Sequence, residues 1–257
     1  MIDGTTKKLF EQVFDTMFGF FVEQVEGATP VLSFGDYTKA QIATLGINPS
    51  SLEFVDKRGK ILQGPLKRLT DLDALKLPLD KHLNSQTYID EIWEGCKNYF
   101  SIEKNPYWDW FDDLENILLD LNFSYKNGSA CHLDLFPLST KRMFSKLSES
   151  EQFICITKFQ FLLSEQLKNS QIKTILFNGA TVEKSLSVIQ NYDVSIDSTI
   201  EYSVQGRKVN SNLFVGGTST GQKILGWSAN LQAFRGSSSE KEYLSKKISE
   251  WLRATIN

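Results

Sequence analysis

Cysteine and histidine are scarce in this chain of 257 residues. The three cysteines, Cys96, Cys131 and Cys155, form an odd set without CxxC spacing, and the two histidines are His82 and His132. A disulfide framework needs paired cysteines, and zinc or iron–sulfur sites need clusters of cysteine and histidine. These absences argue against all of these sites and against a metal-activated water. They favour a reducing compartment.

The chain also lacks a large excess of charge of one sign. It has 28 basic and 31 acidic residues and a formal net charge of -3, with a pI near 5.6. Nucleic-acid-binding domains often carry a clear basic excess. Any basic surface of this protein must therefore be local. The sequence contains no indication of the oligomeric state.

Long apolar runs are absent as well. No stretch approaches the roughly 20 apolar residues that a membrane-spanning helix needs. The first eight residues pass into a charged amphipathic pattern and lack the apolar centre of a signal peptide. We therefore predict a soluble, cytoplasmic protein with no membrane partner.

Several catalytic fingerprints are missing too. The chain has no HExxH zinc motif, no P-loop, no Rossmann glycine fingerprint and no GxSxG nucleophile elbow. The loop at 216–222 is rich in glycine and hydroxyl side chains, but Lys223 stands at the wrong spacing for a Walker lysine. Nucleotide hydrolysis and serine-nucleophile chemistry are disfavoured, and we expect neither a metal nor an organic cofactor.

What the chain does contain is a set of short apolar runs that end in polar or turn-forming residues. They cover about 43–45, 130–136 and 173–177, and they are followed by Gly46-Ile47-Asn48-Pro49-Ser50, by Pro137 and by Asn178-Gly179. Such runs indicate buried strands that deliver loops at their carboxyl ends. Open α/β sheets bind their ligands at that edge.

Helical patterns separate these strands. Apolar spacing predicts a first helix from about residue 9 that closes near Gly27, followed by helices over about 87–100, 108–121 and 179–190. Ser148 with Glu151 forms a capping box before a helix to about residue 167, and Ser239 with Glu242 caps a last helix to about residue 254. Two alternating segments, 198–204 and 208–215, indicate a hairpin or an added edge strand.

The order of these elements predicts the fold class. Strands that alternate with helices favour an α/β fold, here a three-layer α/β/α sandwich with a mostly parallel central sheet. We predict a single domain over residues 1–257. It comprises an N-terminal helical segment (1–39), a core (40–235) and a C-terminal helix (236–257).

The motif Gly46-Ile47-Asn48-Pro49-Ser50 resembles the first active-site motif of the uracil-DNA glycosylase superfamily, especially the GINPG form of its mismatch-specific branch. Residues 105–111, 132–138, 176–179 and 226–231 fall in an order and spacing similar to uncharacterised bacterial glycosylase-like proteins of this superfamily. The resemblance spans roughly residues 40 to 235. It implies a uracil-DNA-glycosylase-like fold and an enzyme that hydrolyses N-glycosyl bonds of flipped-out bases, with DNA as its partner.

The resemblance assigns the water-holding role to Asn48. An amide oxygen can orient a water molecule but is not a strong base. Orienting the water is enough if the glycosidic bond breaks first and the water adds to the sugar afterwards. Backbone amides around Ile47 and Ser50, next to Gly46, would stabilise charge on the departing base. The alternative for Asn48 is an ordinary turn-forming residue.

Asp134 departs from the family pattern, which usually has asparagine as the base-reading residue on this strand. A carboxylate accepts from the exocyclic amino group of cytosine, whereas it would oppose an oxygen of uracil at a cost of about 1–3 kcal/mol. We therefore expect a modified cytosine-type base, since attack on ordinary cytosine would damage the cell's own DNA. Two alternatives are open: His132 reads the base with Asp134 in support, or Asp134 is a helix-capping or salt-bridged residue.

The family's second motif, commonly His-Pro-Ser after the last core strand, is not evident. The loop 217–222 is assigned to the position of this second motif, which makes Ser219 a candidate DNA contact. The missing histidine argues against robust uracil excision. The similar proteins send a following loop into the duplex. This makes Trp227 a wedge or else a core residue, and Ser228, Asn230 and Arg235 candidate DNA contacts.

Further candidates come from aromatic and basic residues. Phe54, Phe100 or Tyr107 would stack on the flipped base. Five cations without nearby acidic partners in the sequence either follow a phosphate backbone or belong to a solvated loop: Lys57, Arg58, Lys60, Lys67 and Arg68. Two alternative functions stand beside the cytosine-type glycosylase, namely a conventional uracil or mismatch glycosylase and a non-catalytic nucleic-acid-binding relative.

Overall fold

Six α-helices and six β-strands form within the residues that the structure describes. The computed structural model describes residues 2–17, 19–72, 75, 86–102, 108–189 and 192–256. The helices are α1 (Gly4–Met17), α2 (Gln86–Lys97), α3 (Trp108–Asp120), α4 (Glu149–Lys168), α5 (Ala180–Leu186) and α6 (Ser238–Ile256). The strands are β1 (Ile42–Gly46), β2 (Ala130–Asp134), β3 (Thr174–Asn178), β4 (Tyr192–Val204), β5 (Arg207–Thr218) and β6 (Lys223–Trp227).

The strands form one mixed sheet in the order β2-β1-β3-β6-β5-β4. The neighbours β2, β1, β3 and β6 run parallel, whereas β5 is antiparallel to β6 and β4 is antiparallel to β5. The prediction of an α/β fold is confirmed. The prediction of a mostly parallel sheet holds for the four-stranded part alone, because the long β4–β5 hairpin adds an antiparallel edge.

The centre of the sheet follows from composition. The three apolar runs of the sequence are confirmed as β1, β2 and β3, which are buried along almost their whole length. Parallel strands covered on both faces need such continuous apolar sequence. Their side chains join a single hydrophobic cluster with residues of all six helices. Because parallel strands end at a common edge, Gly46, Asp134, Asn178 and Trp227 lie at the carboxyl edge of the parallel part.

Helix ends agree with the sequence where a cap defines them. At α4 the Ser148 side chain accepts from the Glu151 N–H and the Glu151 carboxylate accepts from the Ser148 N–H, which confirms the capping box. At α6 the box uses Ser237 and Glu240, two residues before the expected pair. The first helix ends at Met17, well before Gly27, and α5 ends at Leu186. No helix formed by the described residues is long and apolar enough to span a membrane.

Strand β6 is the main element that the sequence analysis missed. It is five residues long and contains Gly226, which weakens its strand pattern. In the structure Gly226 pairs with Phe177 of β3, and a Cβ at Gly226 would overlap the Phe177 ring. Because Gly226 has no side chain, the Phe177 ring can pack directly against the backbone of β6.

Replacing Gly226 by alanine tests this contact. The added methyl group must displace the Phe177 ring, so we expect the free energy of unfolding in urea to fall by about 1–3 kcal/mol. Gly4→Ala is the matched control, because nothing lies within 4 Å of a Cβ at Gly4, and it should change stability by no more than about 0.5 kcal/mol. Equal unfolding midpoints for the two variants would contradict the expectation.

Candidate functional site

Two loops are joined at the carboxyl edge of β1 and β2. The Gly46 carbonyl accepts from the Leu135 N–H at 3.3 Å, and the Ile47 carbonyl accepts from the Phe136 N–H at 2.8 Å. These bonds extend the parallel pairing past the ends of both strands. The motif that follows β1 is thereby fixed against the loop that follows β2.

Asn48 is anchored through its amide nitrogen. Its Nδ2 donates to the Leu138 carbonyl at 3.3 Å, to the Thr140 hydroxyl at 3.4 Å and to the Pro49 carbonyl at 3.1 Å. None of the described residues donates a hydrogen bond to Oδ1 of this half-buried side chain. A turn-forming asparagine would use that oxygen to accept a nearby backbone N–H. In Asn48 the oxygen is instead available to a water molecule or a ligand.

The motif also presents backbone donors. The N–H groups of Asn48 and Ser50 donate to no acceptor in the part of the chain that the structure describes. The Ser50 hydroxyl accepts from the Leu52 N–H at 3.3 Å and caps a short 3₁₀ helix, Ser51–Glu53. The loop thus offers two free N–H groups and one free amide oxygen at the same edge.

Gly46 creates the space beside this loop. Strand pairing places Gly46 opposite Asp134 and Thr44 opposite His132, so all four positions share one face of the sheet. A Cβ at Gly46 would overlap Oδ1 of Asp134 and Nε2 of His132. The missing side chain is therefore what allows the carboxylate and the imidazole to lie against β1.

Asp134 is a buried side chain that accepts no hydrogen bond from the described residues. It is 4% exposed, and Nε2 of His132 lies 3.5 Å from its Oδ1. Among the described residues it accepts no hydrogen bond from a helix end and pairs with no lysine or arginine. The capping alternative has no support among the described residues, and the contact with His132 leaves the salt-bridge alternative beside the base-reading one. A buried carboxylate needs donors, and a ligand amino group could provide one.

His132 is held by protein groups on several sides. Its Nδ1 lies 2.7 Å from the Thr44 hydroxyl oxygen, and its Nε2 faces Asp134. The ring packs against Phe34 and Phe111 at centroid distances of 5.7 and 5.3 Å. With both nitrogens directed at neighbours, His132 is better placed to support Asp134 than to read a base itself.

Glu53 is a buried acid that the sequence analysis missed. Its Oε2 accepts from Arg68 Nε at 2.9 Å and its Oε1 accepts from the Tyr99 hydroxyl at 2.8 Å. Burial raises the pKa of Glu53 to about 7; Arg68 and Tyr99 act in the opposite direction, and the nearby Asp134 adds to the increase. No motif marks Glu53 in the sequence, apart from its position three residues after Ser50.

The five cations after the motif do not form one group. Arg68 pairs with Glu53 and Lys67 pairs with Asp71 at 2.7 Å, so the expectation of five cations without acidic partners is wrong for these two. Lys57 and Arg58 are exposed in a turn after the motif. Lys57 also lines a cavity of about 590 Å³ together with Ser51, Leu52 and Lys141.

The predicted stacking residues have different environments. The Phe54 side chain is 2% exposed and belongs to the core. One face of the Phe100 ring is occupied by Tyr125, at 4.4 Å between centroids and an interplanar angle of 16°. Tyr107 lies outside the described residues, as do Asn105, Pro106 and His82.

Two predicted DNA contacts lie away from the exposed surface around Asn48. Trp227 is fully buried and its Nε1 donates to Asn178 Oδ1 at 2.8 Å, so it is a core residue and not a wedge. Ser219 is exposed, but it lies in the connection that precedes β6. Because β6 runs parallel to β1, that connection is at the opposite edge of the sheet from Asn48. The segment that follows the last parallel strand, β6, at the edge of Asn48 is instead residues 228–235.

Residues 228–235 present the other predicted DNA contacts at the carboxyl edge. The Ser228 hydroxyl accepts from the Asn212 N–H at 2.9 Å, while the exposed Asn230 accepts from Asn178 Nδ2 at 3.3 Å. Arg235 is exposed, and no ion pair between described residues includes it. Its guanidinium group is available to an anionic partner.

A metal centre is not formed by the side chains that the structure describes. Within those residues no group of three or more His, Cys, Asp or Glu side chains could hold an ion. The three cysteines are buried free thiols, and burial raises the pKa of Cys96 to about 11.

The raised pKa of Glu53 predicts a pH dependence of stability. Its folded-state value of about 7 exceeds the ordinary 4.5, so the unfolded chain loses this proton first as pH rises. The contribution of Glu53 to the free energy of unfolding should then be largest below pH 4.5 and should fall by on the order of 3 kcal/mol as the pH rises through 7. Denaturant titrations of wild type and Glu53→Gln between these pH values should show a flatter dependence in the variant.

The control is Glu149→Gln, which alters an exposed carboxylate in the first turn of α4. It should keep the wild-type slope. The comparison uses slopes, because Glu53→Gln also changes the hydrogen bonds to Arg68 and Tyr99 and therefore shifts stability at every pH. Identical slopes in wild type and Glu53→Gln would contradict the raised pKa.

No protein-family model matches this chain, and no curated protein matches it either. The function proposed below therefore rests on the motifs and the side-chain geometry of the chain itself.

Proposed function

We propose that this protein is an enzyme, a monofunctional DNA glycosylase that hydrolyses the N-glycosidic bond of a flipped-out, modified cytosine-type base and leaves an abasic site. One observation carries the proposal. Asp134, a buried carboxylate without a described hydrogen-bond donor, lies against Gly46 at the start of the loop in which Asn48 presents a free amide oxygen. A base reader and a water-positioning group are thus provided by adjacent strand ends.

The proposal includes the finer features of the fold. We infer a uracil-DNA-glycosylase-like, three-layer α/β/α sandwich in which β2, β1, β3 and β6 form the parallel core. The contacts between α1 and α4 and those between α3 and α6 support two helical layers. The antiparallel β4–β5 hairpin is then an addition at one edge of that core.

The base is selected by the charge of Asp134. A cytosine-type base presents an exocyclic amino group, which donates to a carboxylate oxygen. Uracil presents a carbonyl oxygen at the same place, and a buried contact between two acceptors is unfavourable by about 1–3 kcal/mol or more. The neighbouring carboxylate of Glu53 contributes no donor towards a base, since its oxygens accept from Arg68 and Tyr99.

The chemical step uses water and leaves the protein unmodified. The bond between the sugar C1′ and the base nitrogen breaks, and its electron pair remains on the base. The free N–H groups of Asn48 and Ser50 would stabilise that negative charge. A water molecule held by Asn48 Oδ1 then adds to C1′, and the proton that it loses passes to solvent while the departed base takes up a proton.

DNA would approach the carboxyl edge of the parallel strands. Lys57 and Arg58 on one side and Arg235 on the other are exposed cations that can contact phosphates. Ser228 and Asn230 lie between β6 and Arg235 in the segment that replaces the family's second motif. No metal and no organic cofactor take part in this proposal.

Replacing Asn48 by alanine tests the catalytic proposal. The variant loses the oxygen that orients the nucleophile, so the rate of base release should fall by about 10²-fold or more while the affinity for DNA changes little. The measurement is mass-spectrometric detection of free base released from DNA that carries uracil, thymine mismatches or substituted cytosines.

Asn116→Ala is the matched control, because Asn116 is exposed on α3. It should behave like wild type. If wild type releases no base from any of these substrates in single or double strands, the catalytic proposal fails. DNA binding without release would instead support the non-catalytic relative.

Replacing Asp134 by asparagine tests the choice of base. An amide can donate to the uracil oxygen, so the ratio of cytosine-type to uracil release should shift towards uracil by about 10-fold or more. Asp193→Asn, a substitution of an exposed residue on β4, should leave the ratio unchanged. A wild-type protein that already prefers uracil, with an unaltered ratio in Asp134→Asn, would favour the conventional uracil glycosylase.

A further inference from the structure

A buried row of hydroxyl groups lies behind His132 and has no part in the proposed reaction. The Tyr125 hydroxyl oxygen is 2.5 Å from Thr44 Oγ1, and Thr44 Oγ1 is 2.7 Å from His132 Nδ1. Thr44 and Tyr125 are 1% and 2% exposed. The row ends at Asp134, whose Oδ1 lies 3.5 Å from His132 Nε2. The four side chains thus form a continuous row from the core to Asp134, the proposed base reader.

The direction of the hydrogen bonds follows from counting protons. Tyr125, Thr44 and the neutral imidazole carry one proton each. If Tyr125 donates to Thr44 and Thr44 donates to Nδ1, the remaining imidazole proton is on Nε2 and points at the Asp134 carboxylate. Every buried donor then faces an acceptor.

The reverse direction leaves unfavourable contacts at both ends. With the imidazole proton on Nδ1, Thr44 would donate to Tyr125, and the Tyr125 proton would have no acceptor among the described residues. An unpaired buried donor is unfavourable. The lone pair of Nε2 would also face the carboxylate of Asp134. A doubly protonated imidazole would likewise leave one hydroxyl proton without an acceptor.

We propose that Thr44 is a positioning residue, which holds His132 as the neutral Nε2–H tautomer so that the imidazole N–H faces Asp134 and keeps that carboxylate an acceptor for the base. The part of this inference that concerns the base rests on the proposed function. The part that concerns the tautomer does not. Burial also holds the pKa of Tyr125 well above its usual value, which keeps its hydroxyl a donor.

The proposal explains why a histidine is placed beside the reader. Asp134 lies close enough to Glu53 to add to the raised pKa of that acid, and no lysine or arginine among the described residues pairs with Asp134. An N–H group on Nε2, 3.5 Å from Oδ1, attracts the carboxylate electrostatically and leaves the second oxygen, Oδ2, for the ligand. The selectivity of the site is then set partly by Thr44, a residue that does not touch the base.

The tautomer can be read directly by nuclear magnetic resonance. The chain has two histidines, so a protein labelled with ¹⁵N in the imidazole rings gives two sets of ring signals, and His82→Gln identifies those of His132. Near neutral pH we expect the proton on Nε2 and none on Nδ1. A wild-type His132 with the proton on Nδ1, or with both nitrogens protonated, would overturn the proposal.

Three variants locate the effect. Thr44→Val removes the hydroxyl at nearly constant shape, and the Nε2–H population should fall. Thr44→Ser keeps the hydroxyl and should restore the wild-type pattern. Tyr125→Phe is the matched control, because Thr44 can still donate to Nδ1 without Tyr125. An unchanged pattern in Thr44→Val would overturn the role of Thr44, and if that variant does not fold, the wild-type pattern decides.

The activity measurement separates this inference from the proposed function. In Thr44→Val the ratio of cytosine-type to uracil release should fall by about 10-fold, with recovery in Thr44→Ser. If the tautomer pattern is as expected but no protein releases any base, the glycosylase proposal fails and the assignment of the tautomer stands. If bases are released with the same ratio in Thr44→Val and wild type, the link between Thr44 and base choice fails.

Discussion

The parallel pairing of β1 with β2 is the constraint on which the candidate site depends. It sets Gly46 opposite Asp134 and Thr44 opposite His132, and it continues through the backbone bonds that fix the two following loops. A shift of one residue would turn every side chain of one strand to the other face. Asp134 would then enter the core and Leu133 would reach the position now next to Gly46. The chemistry of the site is therefore inseparable from the register of the sheet.

The two buried carboxylates near this register are stabilised in different ways. Glu53 accepts from Arg68 and from Tyr99, which offsets much of the free energy that its desolvation costs. Asp134 has an imidazole nitrogen at 3.5 Å and no hydrogen bond among the described residues. The hydrophobic cluster that surrounds both acids provides the stability that tolerates this arrangement.

The sequence predicted the parts of the fold that depend on local patterns. The runs that became β1, β2 and β3 are long and apolar enough to be recognised, and the capping box of Ser148 is defined by four consecutive residues. Strand β6 was missed because Gly226 interrupts its apolar pattern, and the Phe177 ring that covers this glycine is distant in sequence. The sequence left Trp227 as either a wedge or a core residue, and the tertiary structure decides for the core, since Trp227 is buried and its indole nitrogen donates to Asn178. The pairing of Arg68 with Glu53 also depends on folding and left no sequence signal.

The β4–β5 hairpin extends beyond the end of β6, which pairs with β5 only over 213–217. Its outer part contacts residues 228–235 instead: Ala229 donates to the Ser211 hydroxyl at 3.1 Å, Tyr202 packs near Phe234, and Gln205 donates to the Arg235 carbonyl at 3.0 Å. The outer part of the β4–β5 hairpin and residues 228–235 therefore form one connected unit. A displacement of the hairpin tip would be transmitted through the Gln205–Arg235 hydrogen bond and would change the position of Arg235.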